Sequence, residues 1–164
     1  GDHAMALMAE RNGLRFDPPL RSDTAALHDL VAHLLAPKPE AVHALRDPTR
    51  GGLATVLNEI AHQSNVAIEI DESQIPIRPE VLAAAELLGL DPLYLANEGK
   101  LVVVCEATHA DRILAALRDH PLGKDSALIG HVRATPRPFV ELKTHWGGRR
   151  LVDWLMGELL PRIC

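Results

Sequence analysis

Short segments of this chain gather the residue types that group transfer requires. Pro161-Arg162-Ile163-Cys164 puts a thiol on the last residue, and a thiol becomes a nucleophile once it is deprotonated. Chain ends are poorly ordered unless tied down, so Cys164 is expected on a tail that can carry it to other groups. An accidental terminal cysteine is the plain alternative. Arg46-Asp47-Pro48-Thr49-Arg50-Gly51-Gly52 joins a short apolar segment to a helical pattern. Paired glycines let backbone amides come close to a ligand, and the helix start that follows offers unpaired donors to a phosphate. Thr49 and Arg50 add side-chain donors, and Asp47 suits a metal or a ribose hydroxyl. The competing reading is an ordinary tight loop. Gly1-Asp2-His3 stands at another helix start, where Asp2 also reads as a simple N-cap. In Asn97-Glu98-Gly99-Lys100, Glu98 is a carboxylate at a strand entrance, paired with or tuned by Lys100. A solvated polar turn is the commoner form of such a tetrapeptide.

Elements must bring these segments together. The pattern predicts helices over residues 2–11, ending at Asn12-Gly13, over Leu27 to Leu35 and over Leu53 to His62. Further helices are expected from Pro79 to Leu88, stopped by Gly89, and over Ala110 to Arg118. Ser22-Asp23-Thr24 and Thr108 read as N-caps. Val42 to Leu45 is a short apolar segment, Val66 to Ile70 alternates as a strand, and Leu101 to Cys105 reads as a central strand. Leu128–Arg133, Phe139–Lys143 and Arg150–Val152 read as a meander with a turn at Gly147-Gly148. Asp153 to Leu160 suggests a short helix before Pro161. Strands cluster late in the chain, which favours an α+β fold with a mixed sheet flanked by helices.

Composition narrows the function. The 164 residues are 47% apolar and only 3% aromatic, so the core is aliphatic and little is left to stack nucleobases. A net charge of −5 without a basic run argues against nucleic acid as partner. No apolar run is long enough to span a membrane, and a cytoplasmic setting is the expectation. The chain has 2 cysteines and 9 histidines, but no CxxC and no HExxH, so no metal site is expected. Cys105, closing an apolar run, is expected to be a small core residue. Residues 1–152 are read as one domain and 153–164 as its tail.

Taken in order, GDH, RDPTRGG followed by LNEIA, LGLDPLYLANEGKLVVV, HPLGKDSALIG and terminal PRIC resemble the HypE family of hydrogenase maturation factors. That family lies in the superfamily of aminoimidazole ribonucleotide synthetase and selenophosphate synthetase. The resemblance covers essentially the whole chain and implies that superfamily's C-terminal domain, partly ferredoxin-like. It implies an ATP-dependent carbamoyl dehydratase. The carbamoyltransferase HypF loads the terminal Cys, ATP drives dehydration to a thiocyanate, and cyanide passes to iron on a HypC–HypD complex. It casts Cys164 as carrier, Glu98 as the carboxylate that takes a proton, and Thr49, Arg50, Gly51 and Gly52 as the phosphate frame. Asp2, His3 and Asp47 would frame the nucleotide or support Mg²⁺. An N-terminal domain, absent from this chain, would hold most of the ATP and Mg²⁺ and form a homodimer. A carrier or docking module without catalytic groups, or another synthetase of the superfamily, are the rival readings.

Overall fold

The computed structural model describes residues 1–154, so Cys164 and most of the helix expected before it lie outside the described residues. Helices are α1 (Asp2–Arg11), α2 (His28–Leu35), α3 (Gly52–Ser64), α4 (Pro79–Leu87) and α5 (Ala110–Asp119). Strands are β1 (Val42–Arg46), β2 (Val66–Asp71), β3 (Val102–Cys105), β4 (Gly130–Ala134), β5 (Phe139–Lys143) and β6 (Arg149–Leu151). Helices flank a mixed sheet of order β4-β2-β5-β6 and a separate antiparallel pair, β1 with β3. This is the expected α+β class.

Local chemistry sets the ends of these helices. After α1, the amide of Leu14 donates to Ala9 O at 2.8 Å and that of Gly13 to Glu10 O at 3.2 Å, with Gly13 at φ +64°. Leu90 to Ala85 O (2.8 Å) and Gly89 to Glu86 O (3.1 Å) repeat the motif after α4. Both are Schellman stops, which use glycine because the left-handed region strains other L residues. The expected caps differ. The first turn of α2 is preceded by Leu27 and that of α5 by His109, neither with a side-chain cap. Thr108 instead bonds the ring of His109 at 3.1 Å, and Asp23 is used elsewhere, as shown below.

Sheet order also departs from a meander. β5 and β6 form the expected hairpin, closed by Thr144 N to Gly148 O at 2.8 Å. β2, however, lies between β4 and β5, antiparallel to the first and parallel to the second, with Ile68 opposite both Val132 and Val140. The half-buried β3 is one of a two-stranded pair and is not central, and Cys105 in it is half-buried, not enclosed in the core.

Three clusters fill the interior. α3 lays Ala54, Leu57, Ile60 and Ala61 on Ile68, Ile70, Val140 and Leu142 of the sheet. Each large aliphatic buried this way is worth about 1.5–3 kcal/mol. Met5 of α1 and Val81, Ala84 and Ala85 of α4 close on Leu95. Leu30 and Leu34 of α2 meet Leu117 of α5, with β1 and β3 residues packed against them. Leu95 leads directly into residues 97–100. The second cluster therefore fixes both α1 and the Glu98 turn.

Candidate functional site

Asn97 joins two of the segments singled out from sequence. Its backbone amide donates to Pro48 O at 3.1 Å, and its side-chain amide donates to Pro48 O at 3.1 Å and to Leu95 O at 3.0 Å. The side chain is buried. Buried polar groups are costly unless bonded, so these contacts hold the Arg46–Gly52 loop against the Asn97–Lys100 turn. Glu98 follows at once and is half-exposed.

Lys100 brings in the third segment. Its ammonium bonds the carboxylate of Asp2 and, at 2.7 Å, that of Asp23. Lys100 therefore does not pair with Glu98, contrary to the expectation from their spacing. The Asp2 and Asp23 side chains are 6% and 7% exposed, respectively. Asp2 faces a second cation, since Arg78 Nε lies 3.2 Å from its Oδ1 without the alignment of a hydrogen bond. Asp23 Oδ1 also accepts from the amides of His3 (3.1 Å) and Glu98 (3.2 Å). Burial alone would raise the Asp23 pKa. The hydrogen bond and charge of Lys100, with the Glu98 amide, outweigh it and hold this carboxyl below its ordinary value. His3 Nδ1 sits 2.8 Å from Ser22 Oγ.

The two glycines at the start of α3 serve packing. Both have positive φ, +72° for Gly51 and +62° for Gly52. A Cβ on Gly52 would lie 2.5 Å from Leu93 O and 2.6 Å from Leu95 O, and one on Gly51 would lie 2.1 Å from Thr55 Oγ1. The Gly52 amide is engaged by Thr49 O at 3.0 Å, which leaves later amides of the first turn as the free helical donors. The buried Thr55 hydroxyl has no hydrogen-bond partner among the described residues. Arg50 and Asp47 are exposed and Thr49 is half-buried, so the loop presents one cation and one carboxylate to solvent. Arg46 is tied back by an ion pair with Glu59 of α3.

The last described residues are held against the fold. Asn58, buried in α3, donates to Ala54 O at 2.9 Å and to Val152 O at 2.8 Å. Tyr94 Oη donates to Asp153 O at 2.9 Å, and the rings of His62 and Trp154 lie 5.5 Å apart. The described residues thus end beside α3, the helix that the Arg46–Gly52 loop begins. Cys105 is poorly suited to attack, because burial pushes its thiol pKa up and keeps it protonated.

Of the residues expected from sequence, the structure brings Asp2, His3, Glu98 and the Asp47–Gly52 loop into one region, joined by Asn97 and Lys100. Cys164 lies outside the described residues. Sequence reasoning missed Asp23, Arg78 and the linking role of Asn97. Asp23 carried a weak signal at best, because a Ser-Asp-Thr string before a helical pattern reads as a cap. Among the described residues no group of three or more His, Cys, Asp or Glu side chains is placed to hold a metal ion, and no helix is long and apolar enough to cross a membrane.

Comparison with known proteins places this arrangement. Residues 1–143 match the family described as AIR synthase related protein, C-terminal domain. The carbamoyl dehydratase HypE of Cupriavidus necator is 59% identical over 164 residues, which are 100% of this chain and 46% of that protein. The chain thus spans about half the length of the curated relatives it matches. A crystal structure of the hydrogenase maturation protein HypE in complex with ATP superposes with a TM-score of 0.92 at 44% identity, covering 100% of this chain and 50% of that one. A HypE–HypF complex superposes with a TM-score of 0.88 at 45% identity over 94% of this chain and 50% of that one. The chain belongs to the AIR synthase related C-terminal domain family, and within that family its resemblance is to the HypE hydrogenase maturation proteins.

Proposed function

We propose that this chain is the C-terminal half of an ATP-dependent carbamoyl dehydratase, with Cys164 as carrier and Glu98 as proton acceptor. One observation supports it above the others. Segments some fifty residues apart in sequence, at Asp2, Pro48 and Glu98, are held together around one ammonium and one amide. The half-buried Glu98 has no side-chain partner among the hydrogen bonds and ion pairs of the described residues, and so remains available for chemistry.

In this reading HypF delivers a carbamoyl group to the Cys164 thiolate. The amide oxygen of the S-carboxamide then attacks the terminal phosphate of ATP; an O–P bond forms and ADP leaves. The nitrogen gives up both protons, one around phosphorylation and one as phosphate departs with the C–O electron pair, which leaves a thiocyanate on sulfur. Glu98 accepts a proton in this sequence. Arg50, Thr49 and the first-turn amides of α3 meet phosphate charge. Asp2, His3 and Asp47 border the same region.

The described residues do not compose a Mg²⁺ site, and the carboxylates of Asp2 and Asp23 are engaged by Lys100. We assign Mg²⁺, most of the nucleotide contacts and a homodimer contact to the part of the relatives that this chain does not span. The cyanide would pass to iron on a HypC–HypD complex, in a cytoplasmic setting.

Full-length Glu98→Gln protein tests the reading. After incubation with HypF, carbamoyl phosphate and ATP it should accumulate the carbamoyl form, while wild-type protein goes on to lose one water. Unimpaired water loss in Glu98→Gln would instead favour the carrier-module reading.

A further inference from the structure

We propose that Asp23 is a positioning residue for dehydration, fixing the Glu98-bearing turn against the start of α1. The inference rests on the dehydratase reading and names a residue that the sequence marks only as a helix cap. Both oxygens of this carboxylate are used, and by different segments. Oδ1 accepts from the amides of His3 at 3.1 Å and Glu98 at 3.2 Å, and Oδ2 accepts from Lys100 at 2.7 Å. Its side chain is only 7% exposed. A surface ion pair would need neither the second oxygen nor two backbone donors.

The backbone of Asp23 is equally committed. A Cβ on Gly99 would stand 1.6 Å from the Asp23 carbonyl oxygen, so the two strands of chain touch and only glycine fits between them. The residue next to Glu98 thus packs on Asp23, while the amide of Glu98 itself is bonded by the Asp23 side chain. Glu98 extends from a turn held on two sides. A shift of about 1 Å in a reacting group can cost about 100-fold in rate, which is the scale expected if this hold is released.

The experiment uses the full-length protein with HypF, carbamoyl phosphate and ATP. Asp23→Asn keeps an acceptor for the two amides but takes the counter-charge from Lys100. It should lower kcat for dehydration about 100-fold while KM for ATP stays within about twofold. Carbamoylation by HypF should proceed at the wild-type rate. In a Glu98→Gln background Asp23→Asn should add almost nothing, because a residue acting through Glu98 has no further effect once Glu98 is gone. Should Asp23→Asn fail to fold, Asp23→Glu keeps the charge and displaces the carboxylate from the amides, with the same selective loss expected. Equal damage to kcat, KM and carbamoylation, or additive loss with Glu98→Gln, would mean a merely structural role and overturn the inference. Wild-type kcat in a folded Asp23 variant would overturn it too. If Glu98→Gln itself dehydrates normally, the underlying dehydratase reading fails instead.

Discussion

Replacing Gly52 by alanine tests the packing that holds the loop and the Glu98 turn together. The backbone at Gly52 has φ +62°, where an L side chain costs roughly 1–2 kcal/mol. The new Cβ would also meet two backbone oxygens, Leu93 O at 2.5 Å and Leu95 O at 2.6 Å, which cannot rotate aside as a side chain could. Relief requires moving residues 93–95, and Leu95 is fully buried between α1 and α4. Overpacking of this kind costs about 1–3 kcal/mol beyond the dihedral term, for a total of about 2–5 kcal/mol. Gly13 is the internal control. It has φ +64°, but nothing lies within 4 Å of the position a Cβ would take. Gly13→Ala should therefore cost only the dihedral term, roughly 1–2 kcal/mol. Urea unfolding of both variants, followed by circular dichroism, gives the two values. Equal losses would refute the claim that close approach, and not backbone conformation alone, requires glycine at residue 52.

Further outcomes can be checked on the same protein. Lys100→Met leaves the Asp2 and Asp23 carboxylates buried without their shared cation and should destabilise the chain by about 3 kcal/mol, read as a lowered urea midpoint. The side-chain and backbone hydrogen bonds of Ser73 and the ammonium of Lys143 lower the Asp71 pKa to about 2, from an ordinary 3.8. A lowered folded pKa gives stability that is present above the ordinary value and is lost as pH falls towards the folded one. Asp71 should therefore stay ionised to about pH 2 by NMR titration, and Asp71→Asn should flatten the fall in stability below pH 3.8. Asn58→Ala removes two buried hydrogen bonds and leaves Val152 O without its donor. A loss of about 2–4 kcal/mol is expected in urea unfolding, with faster amide exchange near residue 152. Calorimetric titration of this chain with ATP and Mg²⁺ should show no binding tighter than roughly millimolar.

Local signals in the sequence were legible at the glycine stops and the hairpin turn, but not at the caps expected of Ser22-Asp23-Thr24 and Thr108. Asn12-Gly13 and Leu88-Gly89 end helices because glycine at the next position takes up the left-handed turn. The β5–β6 hairpin follows from Gly147-Gly148. Non-local choices were not legible. The parallel pairing of β2 with β5 joins residues about seventy apart, and nothing in either strand's alternation names its partner. The run at residues 101–105 looked central because half-burial on both faces reads like full burial when only residue types are known. At the site, the motif residues were visible as types at suggestive spacings. Lys100 seemed the natural partner of Glu98, two residues away, yet the fold sets it between Asp2 and Asp23, and Asp23 itself looked like a helix cap.

The central claim is tested most directly by mass spectrometry of the C-terminal peptide of the full-length protein, sampled in time after mixing with HypF and carbamoyl phosphate. The account predicts a carbamoyl adduct on Cys164, which loses one water only when ATP is added, and no adduct on Cys105. An adduct that forms on Cys105, survives Cys164→Ala, or never loses water in the presence of ATP would contradict it.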